Sequence, residues 1–356
     1  MDNVCHTLVG AALAQAGLKR RTALGAATLM IGANFPDIDV LAVPFGHGVD
    51  FRRGWTHGVL ALAVLPFVLT AIMLAWEGLV AAPTARRARN EQRRPTVPRE
   101  LLLLSAISIL THPALDWMNE YGMRWLMPFS GRWFYGDTLF IVDPWLWVAL
   151  ALGVVIARRA GTRPARAALA VSATYVVAML ALSAATRRIA ERALAVQGLE
   201  PVSRMMVSAS FANPLRRRVI LDEGSRYHYG TLSLGPSSRL VLTRVIETQA
   251  STAEAIAAAE TAEGRRFLVW SRFPFYVIER RTEGILVRIA DARYSLGRRG
   301  GDWAAVEVLL PPIDPPTADT PPTPLTALEP GHAARSLSLE EASPSGAVGI
   351  AMDRAS

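Results

Sequence analysis

The sequence predicts a mainly α protein: a polytopic helical membrane bundle over residues 1–197, a small α+β soluble domain over 198–310 and a disordered tail over 311–356. Three observations predict it. Hydrophobic residues make up 51% of the chain and charged residues 19%, against roughly 25% charged in soluble domains. Apolar runs of about 20 residues, the length a helix needs to cross roughly 30 Å of hydrocarbon, all lie before Gly198. Beyond it the composition turns to Val, Ile, Phe and Tyr in short segments, and then to Pro, Ser and Ala.

Taken in order, Val4 to Leu18 and Ala23 to Phe35 read as two short helices, a hairpin around Lys19, Arg20 and Arg21, shallow or tilted because they are too short for full spans. Four longer runs read as spans: Val59 to Ala82, Leu101 to Met118, Thr138 to Ala157 and Ala165 to Ala185. The second is interrupted by His112 and Asp116, and the third has Asp143 and Pro144 near its start. Basic clusters lie around Lys19, from Arg86 to Arg99 and from Arg158 to Arg166, and short basic loops stay on the cytoplasmic side. The polar residues between the clusters then fall on the outer face; Arg52 and Arg53, and Arg187, Arg188 and Arg192, break the pattern. His6 inside the first apolar stretch, with no basic segment before it, argues against a cleaved signal peptide.

After Gly198, the segments "RRRVILD", "SRLVLTRVIET", "RRFLVWSRFPFYVIERR" and "GILVRIADARYSL" read as strands, and "TAEAIAAAETAEG" as one short helix. From Pro311 onward the chain is too poor in apolar residues to fold. The net charge of +8 comes from 38 basic residues, of which Lys19 is the only lysine. They sit in short clusters rather than along one face with interleaved aromatics, so no nucleic-acid partner is expected. Cys5 is the single cysteine, which excludes an intrachain disulfide.

The chemistry-bearing residues lie between the apolar runs. His112 and Asp116, four apart, share one helix face and can grip one ion; ionisable groups at membrane depth are costly and mark function. In "GANFPDIDVLA", Pro36 is expected to end the preceding helix and leave Asp37 and Asp39 on an extended exit, both facing one way. Their flanks are apolar, and a bare carboxylate pair there calls for a compensating cation. His57 begins the first long apolar run, and His6 lies near the first helix start. Together His6, His57 and His112 with Asp37, Asp39, Asp116 and Asp143 make the mixture of nitrogen and oxygen ligands that zinc favours, and that also suits manganese or iron. Asp143 is evenly balanced between ligand and helix cap, Asp137 reads as a cap, and His47 in its Gly-flanked loop is a weaker candidate.

The stretches "MDNVCHTLVGAAL", "GANFPDIDVLA", "RGWTHG" and "THPALDWMNEYG", in that order, resemble the bacterial inner-membrane metal-dependent hydrolases called YdjM-like or LexA-binding, over about residues 1–160. That family is distantly similar to zinc-dependent phospholipase C and the fungal zinc nucleases, helical enzymes that cleave phosphodiesters with a metal cluster. The resemblance implies that Asp37, His57, His112 and Asp116 are metal ligands, with Asp39 and His6 beside them. Two departures matter. Arg52 stands where family members commonly have the first histidine of His-Arg-Gly-x-Thr-His-Ser, and Gly58 replaces the serine. The His-x-x-x-Glu pair of the phospholipases is missing, which implies one or two metals rather than three.

The expectation is a multi-pass protein of the bacterial inner membrane that hydrolyses an ester or phosphodiester of a lipid-like, phosphate-containing substrate with a metal-activated water. Asp39 is the general base or a further ligand, and Arg52 or Arg53 binds the substrate anion. Membrane lipids are the expected surroundings. The rival expectations are a non-catalytic membrane protein with a structural metal and a C-terminal interaction domain, and, more weakly, a transporter or channel subunit with carboxylates along an ion path.

Overall fold

The computed structural model describes residues 1–45, 48, 50–81, 94–197, 203–235, 238–295, 303–311 and 349–350. Six α-helices lie in the N-terminal part of these. Helix α1 (Asn3–Gln15) starts where Asp2, in extended backbone, accepts from the Val4 and Cys5 amides at 3.0 and 3.1 Å. Those are two of the amides that every helix start leaves without a partner. Helix α2 (Gly25–Gly32) packs closely beside it, since a Cβ on Gly10 would come within 2.5 Å of the Leu29 carbonyl oxygen. A 3₁₀ helix (Phe35–Phe45) follows, bent by 50° from α2. The extended exit expected for Asp37 and Asp39 is therefore a helical one. Pro36 sits in its first turn, where a fixed φ near −65° suits a helix and a missing N–H costs nothing.

Helices α3 (Val59–Trp76), α4 (Pro98–Trp117), α5 (Pro144–Ala160) and α6 (Arg163–Gln197) complete the bundle. Helix α1 packs on α2, α5 and α6, while α4 packs on α2 and α3. Two helical stretches are long and apolar enough to cross a membrane, Val59–Val80 and Arg163–Leu194, and Gly25–Gly32 with Phe35–Phe45 makes a third if that bent pair is one span. Only 28% and 17% of the two apolar windows are buried within the protein. Val64, Phe67 and Ile72 on α3 and Val171 and Val177 on α6 face outward, a belt whose natural cover is lipid. The other two expected spans contain helices as well, but the one expected from Thr138 begins only at Pro144 as α5, with 17 residues, and α4 carries Arg99, Glu100 and Asp116.

Helix α6 runs past its expected end at Ala185 to Gln197 and so is roughly 50 Å long. Its Ala190, Ala193 and Leu194 pack against Met205, Val207, Val219 and Leu221 of a sheet. That sheet is formed by β1 (Arg204–Ser210), β2 (Asn213–Asp222), β3 (Arg226–Ser233) and β4 (Arg239–Glu247) as an antiparallel meander. Side chains alternate faces along a strand. Met206 and Ile220 accordingly point the other way, onto Phe275 and Ala290 of a second sheet and Phe273 just before it. The second sheet is β5 (Pro274–Arg281), β6 (Gly284–Asp291) and β7 (Ala305–Leu310), covered by α7 (Ala253–Ala259) and α8 (Ala262–Trp270). The one helix expected there is two, because Thr261 accepts from the Gly264 amide at 3.0 Å and starts a new one. Of the tail expected to be disordered, Pro311 and β8 (Gly349–Ile350) are described, the latter as a short strand parallel to β4; the rest lies outside the described residues.

The segment between α4 and α5 ties the two parts together. Glu120 accepts from Ser208 Oγ at 2.5 Å and from the Arg218 guanidinium, and Arg293 Nη1 donates to the Glu120 carbonyl at 2.8 Å. Asp137, which reads in the sequence as a cap, has φ +50° and instead receives both Nη atoms of Arg272, at 2.8 and 3.0 Å. Asp291 and Arg293 are a fully buried ion pair with Nε to Oδ1 at 2.8 Å. Burial pushes the Asp291 carboxyl up, but the Arg293 charge and the N–H groups donated to Asp291 more than offset this and hold it below the usual carboxylate range.

Candidate metal centre

Four chain segments meet at one end of the bundle. The start of α1 brings His6, the 3₁₀ helix brings Asp37 and Asp39, the turn before α3 brings Arg52, Arg53 and His57, and the C-terminal end of α4 brings His112 and Asp116. His6, Asp39, His57, His112 and Asp116 are buried, and Asp37 is slightly open. The turn at residues 50–58 is strapped down: the Arg124 amide donates to the Arg53 carbonyl at 2.9 Å and the Val59 amide to the Trp125 carbonyl at 3.0 Å. A side chain at Gly58 would approach the Met127 carbonyl oxygen to 2.3 Å, so glycine is what permits this approach.

Donor atoms of Asp37, His57, His112 and Asp116 all lie within 4.8 Å of one another, the one such group among the described residues. The His57 and His112 Nε2 atoms are 3.1 Å apart. From Asp116 Oδ2 they lie 3.6 and 3.3 Å away, and from Asp37 Oδ1 3.8 and 3.7 Å. A tetrahedral ion with bonds of about 2.0–2.1 Å separates its ligands by about 3.3 Å, so these spacings match the edges of such a site.

Hydrogen bonding fixes which ring atoms face inward. His112 Nδ1 lies 2.7 Å from the Ala33 carbonyl oxygen, an acceptor only, so Nδ1 carries a proton and Nε2 is the ring nitrogen that faces the group. That approach depends on Gly32, because a Cβ there would meet Ser108 Oγ of α4 at 2.0 Å. His57 is oriented from behind by Thr56 Oγ1, 2.9 Å from its Nδ1. Asp116 Oδ2 and Asp39 Oδ1 are buried and make no well-aligned hydrogen bond, although Arg53 Nε lies 3.0 Å from the first and Arg52 Nε 3.2 Å from the second. Lone pairs turned toward carboxylate oxygens repel unless a cation or proton lies among them, so the donor set fits a divalent ion of the zinc, manganese or iron type.

The remaining expected residues surround this group. His6 Nε2 is 3.2 Å from Asp116 Oδ1, and its ring stacks on His112 with centroids 3.9 Å apart. The Met1 amino group also donates to Asp116 Oδ1. Asp39 Oδ2 accepts from the Arg53 amide at 2.8 Å. Arg52 Nη2 donates to Asp37 Oδ1 at 3.0 Å, and its Nε is 3.2 Å from Asp39 Oδ1. Arg53, by contrast, is buried among protein partners: its Nη2 donates to Asp116 Oδ1 at 3.1 Å, its Nη1 to Asn119 Oδ1 at 3.1 Å, and its guanidinium lies 4.4 Å from the Tyr121 ring centre.

Asp143 stands apart from the group. Its Oδ1 accepts from the Trp145 and Leu146 amides at 3.1 Å each, capping α5, and its Oδ2 accepts from Tyr175 at 2.9 Å. His47 lies outside the described residues. His228 is paired with Glu223 at 2.9 Å in the β-domain. Sequence reasoning missed Asn119, Glu120 and Tyr121, although they continue the run that begins at His112. The available signal was that a polar Asn-Glu pair directly follows an apolar helix.

Comparisons agree with this end of the chain. The model of the YdjM inner membrane protein family matches residues 1–186, which takes in every residue of the donor group and both flanking arginines. No curated protein and no solved structure gave a significant match. With more than half of its length matched, the chain belongs to the YdjM inner membrane protein family.

Proposed function

We propose that this protein is a metal-dependent membrane hydrolase that cleaves an ester or phosphodiester bond in a lipid-like substrate. The observation that carries the reading is the convergence of His57 Nε2, His112 Nε2, Asp37 Oδ1 and Asp116 Oδ2, with the His112 ring oriented by the Ala33 carbonyl at Nδ1. These four residues would hold a divalent ion, zinc by ligand preference and manganese or iron by the same donors, which would supply an acidified water and Lewis acidity. Asp39, whose Oδ1 is ion-paired with Arg52 Nε at 3.2 Å but makes no well-aligned hydrogen bond, is the carboxylate placed to accept a proton beside the donor group. Arg52 is the arginine that binds the substrate anion: it is 29% exposed, and its Nη1 makes no hydrogen bond among the described residues, whereas Arg53 is 8% exposed and saturated. Arg53 and His6 hold Asp116 in position.

The protein is multi-pass, with the centre toward the outer face. Supporting this, the basic turns gather at the other end of the helices, where Arg166 Nε donates to the Ala16 carbonyl at 2.9 Å and Arg94 to the Arg20 carbonyl at 2.6 Å. A substrate drawn from membrane lipids follows from that location. A second reading, a structural metal with a C-terminal interaction domain, draws on how fully Glu120, four residues beyond Asp116, is used in holding this end of the bundle to the β-domain through Ser208, Arg218 and Arg293.

Elemental analysis and hydrolysis assays on detergent-purified protein separate the two. The hydrolase reading expects a stoichiometric metal and cleavage of a phosphate or acyl ester, both lost in His112→Ala. Metal retained with no turnover across a panel of such esters favours the structural reading, and absence of metal refutes both.

A further inference from the structure

Asp37 Oδ1 takes part in two contacts at once. It belongs to the four-donor group, and it also accepts from Arg52 Nη2 at 3.0 Å. The same guanidinium reaches Asp39 Oδ1 through Nε at 3.2 Å, and Asp39 Oδ2 is 3.6 Å from His57 Nδ1. Arg52 thus bridges two carboxylates on the more open flank of the centre. In two-ion hydrolytic sites a second ion lies about 3.5–4 Å from the first, close enough for neighbouring carboxylates to serve both. Here the carboxylate next to the donor group carries a guanidinium, which keeps its positive charge at every relevant pH and has no lone pair to offer an ion.

We infer that Arg52 occupies the position of a second metal ion, so that the centre holds one divalent ion with a built-in cation beside it. This rests on the metal-centre reading above. Charge argues the same way. Asp37, Asp39 and Asp116 bring three negative charges, Arg52 and Arg53 bring two positive ones, and the Met1 amino group on Asp116 adds another when protonated. One divalent ion leaves the cluster with at least one net positive charge, whereas a second leaves at least three, in surroundings where Asp39, His57, His112 and Asp116 have almost no contact with solvent. Donors are short as well. Asp39 Oδ2 is held by the Arg53 amide, and His6 lies against Asp116 Oδ1.

The test is metal stoichiometry. Full-length protein in detergent is stripped with chelator and titrated with Co²⁺, read by visible absorption and electron paramagnetic resonance, with elemental analysis of the zinc-loaded form alongside. Wild type is expected to break at one equivalent with the signal of an isolated ion. Arg52→His removes the fixed charge and adds an imidazole beside Asp37 and Asp39; it is expected to take a second equivalent, with the resonance weakened by coupling between neighbouring ions. Two equivalents in wild type overturn the inference, as does an Arg52→His protein that elutes like wild type yet stops at one. Should that variant not fold, the wild-type break point decides alone. Wild type that takes up no ion overturns the metal-centre reading itself, an outcome distinct from a count of two.

Discussion

Gly32→Ala should weaken metal binding without altering any ligand. The added methyl meets Ser108 Oγ at 2.0 Å, Ser108 Cβ at 3.0 Å and Leu69 Cδ2 at 3.1 Å, so α2 and α4 must separate or Ser108 must turn away. Overpacking of this kind costs about 1–3 kcal/mol of stability. The next residue is Ala33, whose carbonyl accepts from His112 Nδ1 at 2.7 Å, and a shift of a few tenths of an ångström lengthens that bond. Losing the outer partner of a ligating histidine costs about 10- to 100-fold in metal affinity, or about 1.4–2.8 kcal/mol. The assay is competition for Zn²⁺ against a chromophoric chelator in detergent, with thermal unfolding measured in parallel. Adding Ser108→Ala removes the 2.0 Å contact and should recover most of the affinity. The reasoning is refuted if Gly32→Ala lowers the melting temperature while its zinc affinity stays within about threefold of wild type.

Other substitutions separate the roles assigned to neighbouring residues. Asp116→Asn should abolish stoichiometric metal in elemental analysis, since it removes the carboxylate charge that Oδ2 turns toward His57 and His112. Asp143→Ala should leave metal content unchanged while costing about 1 kcal/mol in thermal unfolding, because it removes only the cap of α5 and the partner of Tyr175. In the β-domain, Arg293→Ala strands a buried carboxylate and should cost about 3–5 kcal/mol by chemical denaturation. Because the Asp291 carboxyl is held below its unfolded value, its contribution is complete above about pH 4 and is lost as the pH falls through the folded value. Circular dichroism in acid should therefore show wild type losing stability over that range and Asp291→Asn, already weaker at pH 7, changing less.

Much of this protein is legible from local sequence. The membrane class follows from the composition and from runs such as Val59 onward, because a bilayer demands about 20 apolar residues in a row and leaves that demand in the chain itself. The residue types of the centre are legible for the same reason, since His112 and Asp116 inside an apolar run are costly without a purpose, and their spacing of four sets them on one helix face. Partnership between distant segments is not legible. Asp39, Arg52 and Arg53 belong to one neighbourhood in the sequence, yet only the packing of the 50–58 turn against residues 123–127 buries Arg53 on Asp116 and leaves Arg52 across Asp37 and Asp39. Asp143 is an acid before a helix in either reading; the free amides of Trp145 and Leu146 and the Tyr175 hydroxyl, 32 residues away, claim it as a cap. Whether Pro36 begins a strand or a 3₁₀ turn, and whether His112 turns Nε2 inward, likewise depend on contacts that only the folded chain brings together. Sequence determined which groups are present and with what periodicity, and tertiary structure decided which of their few possible partners each one meets.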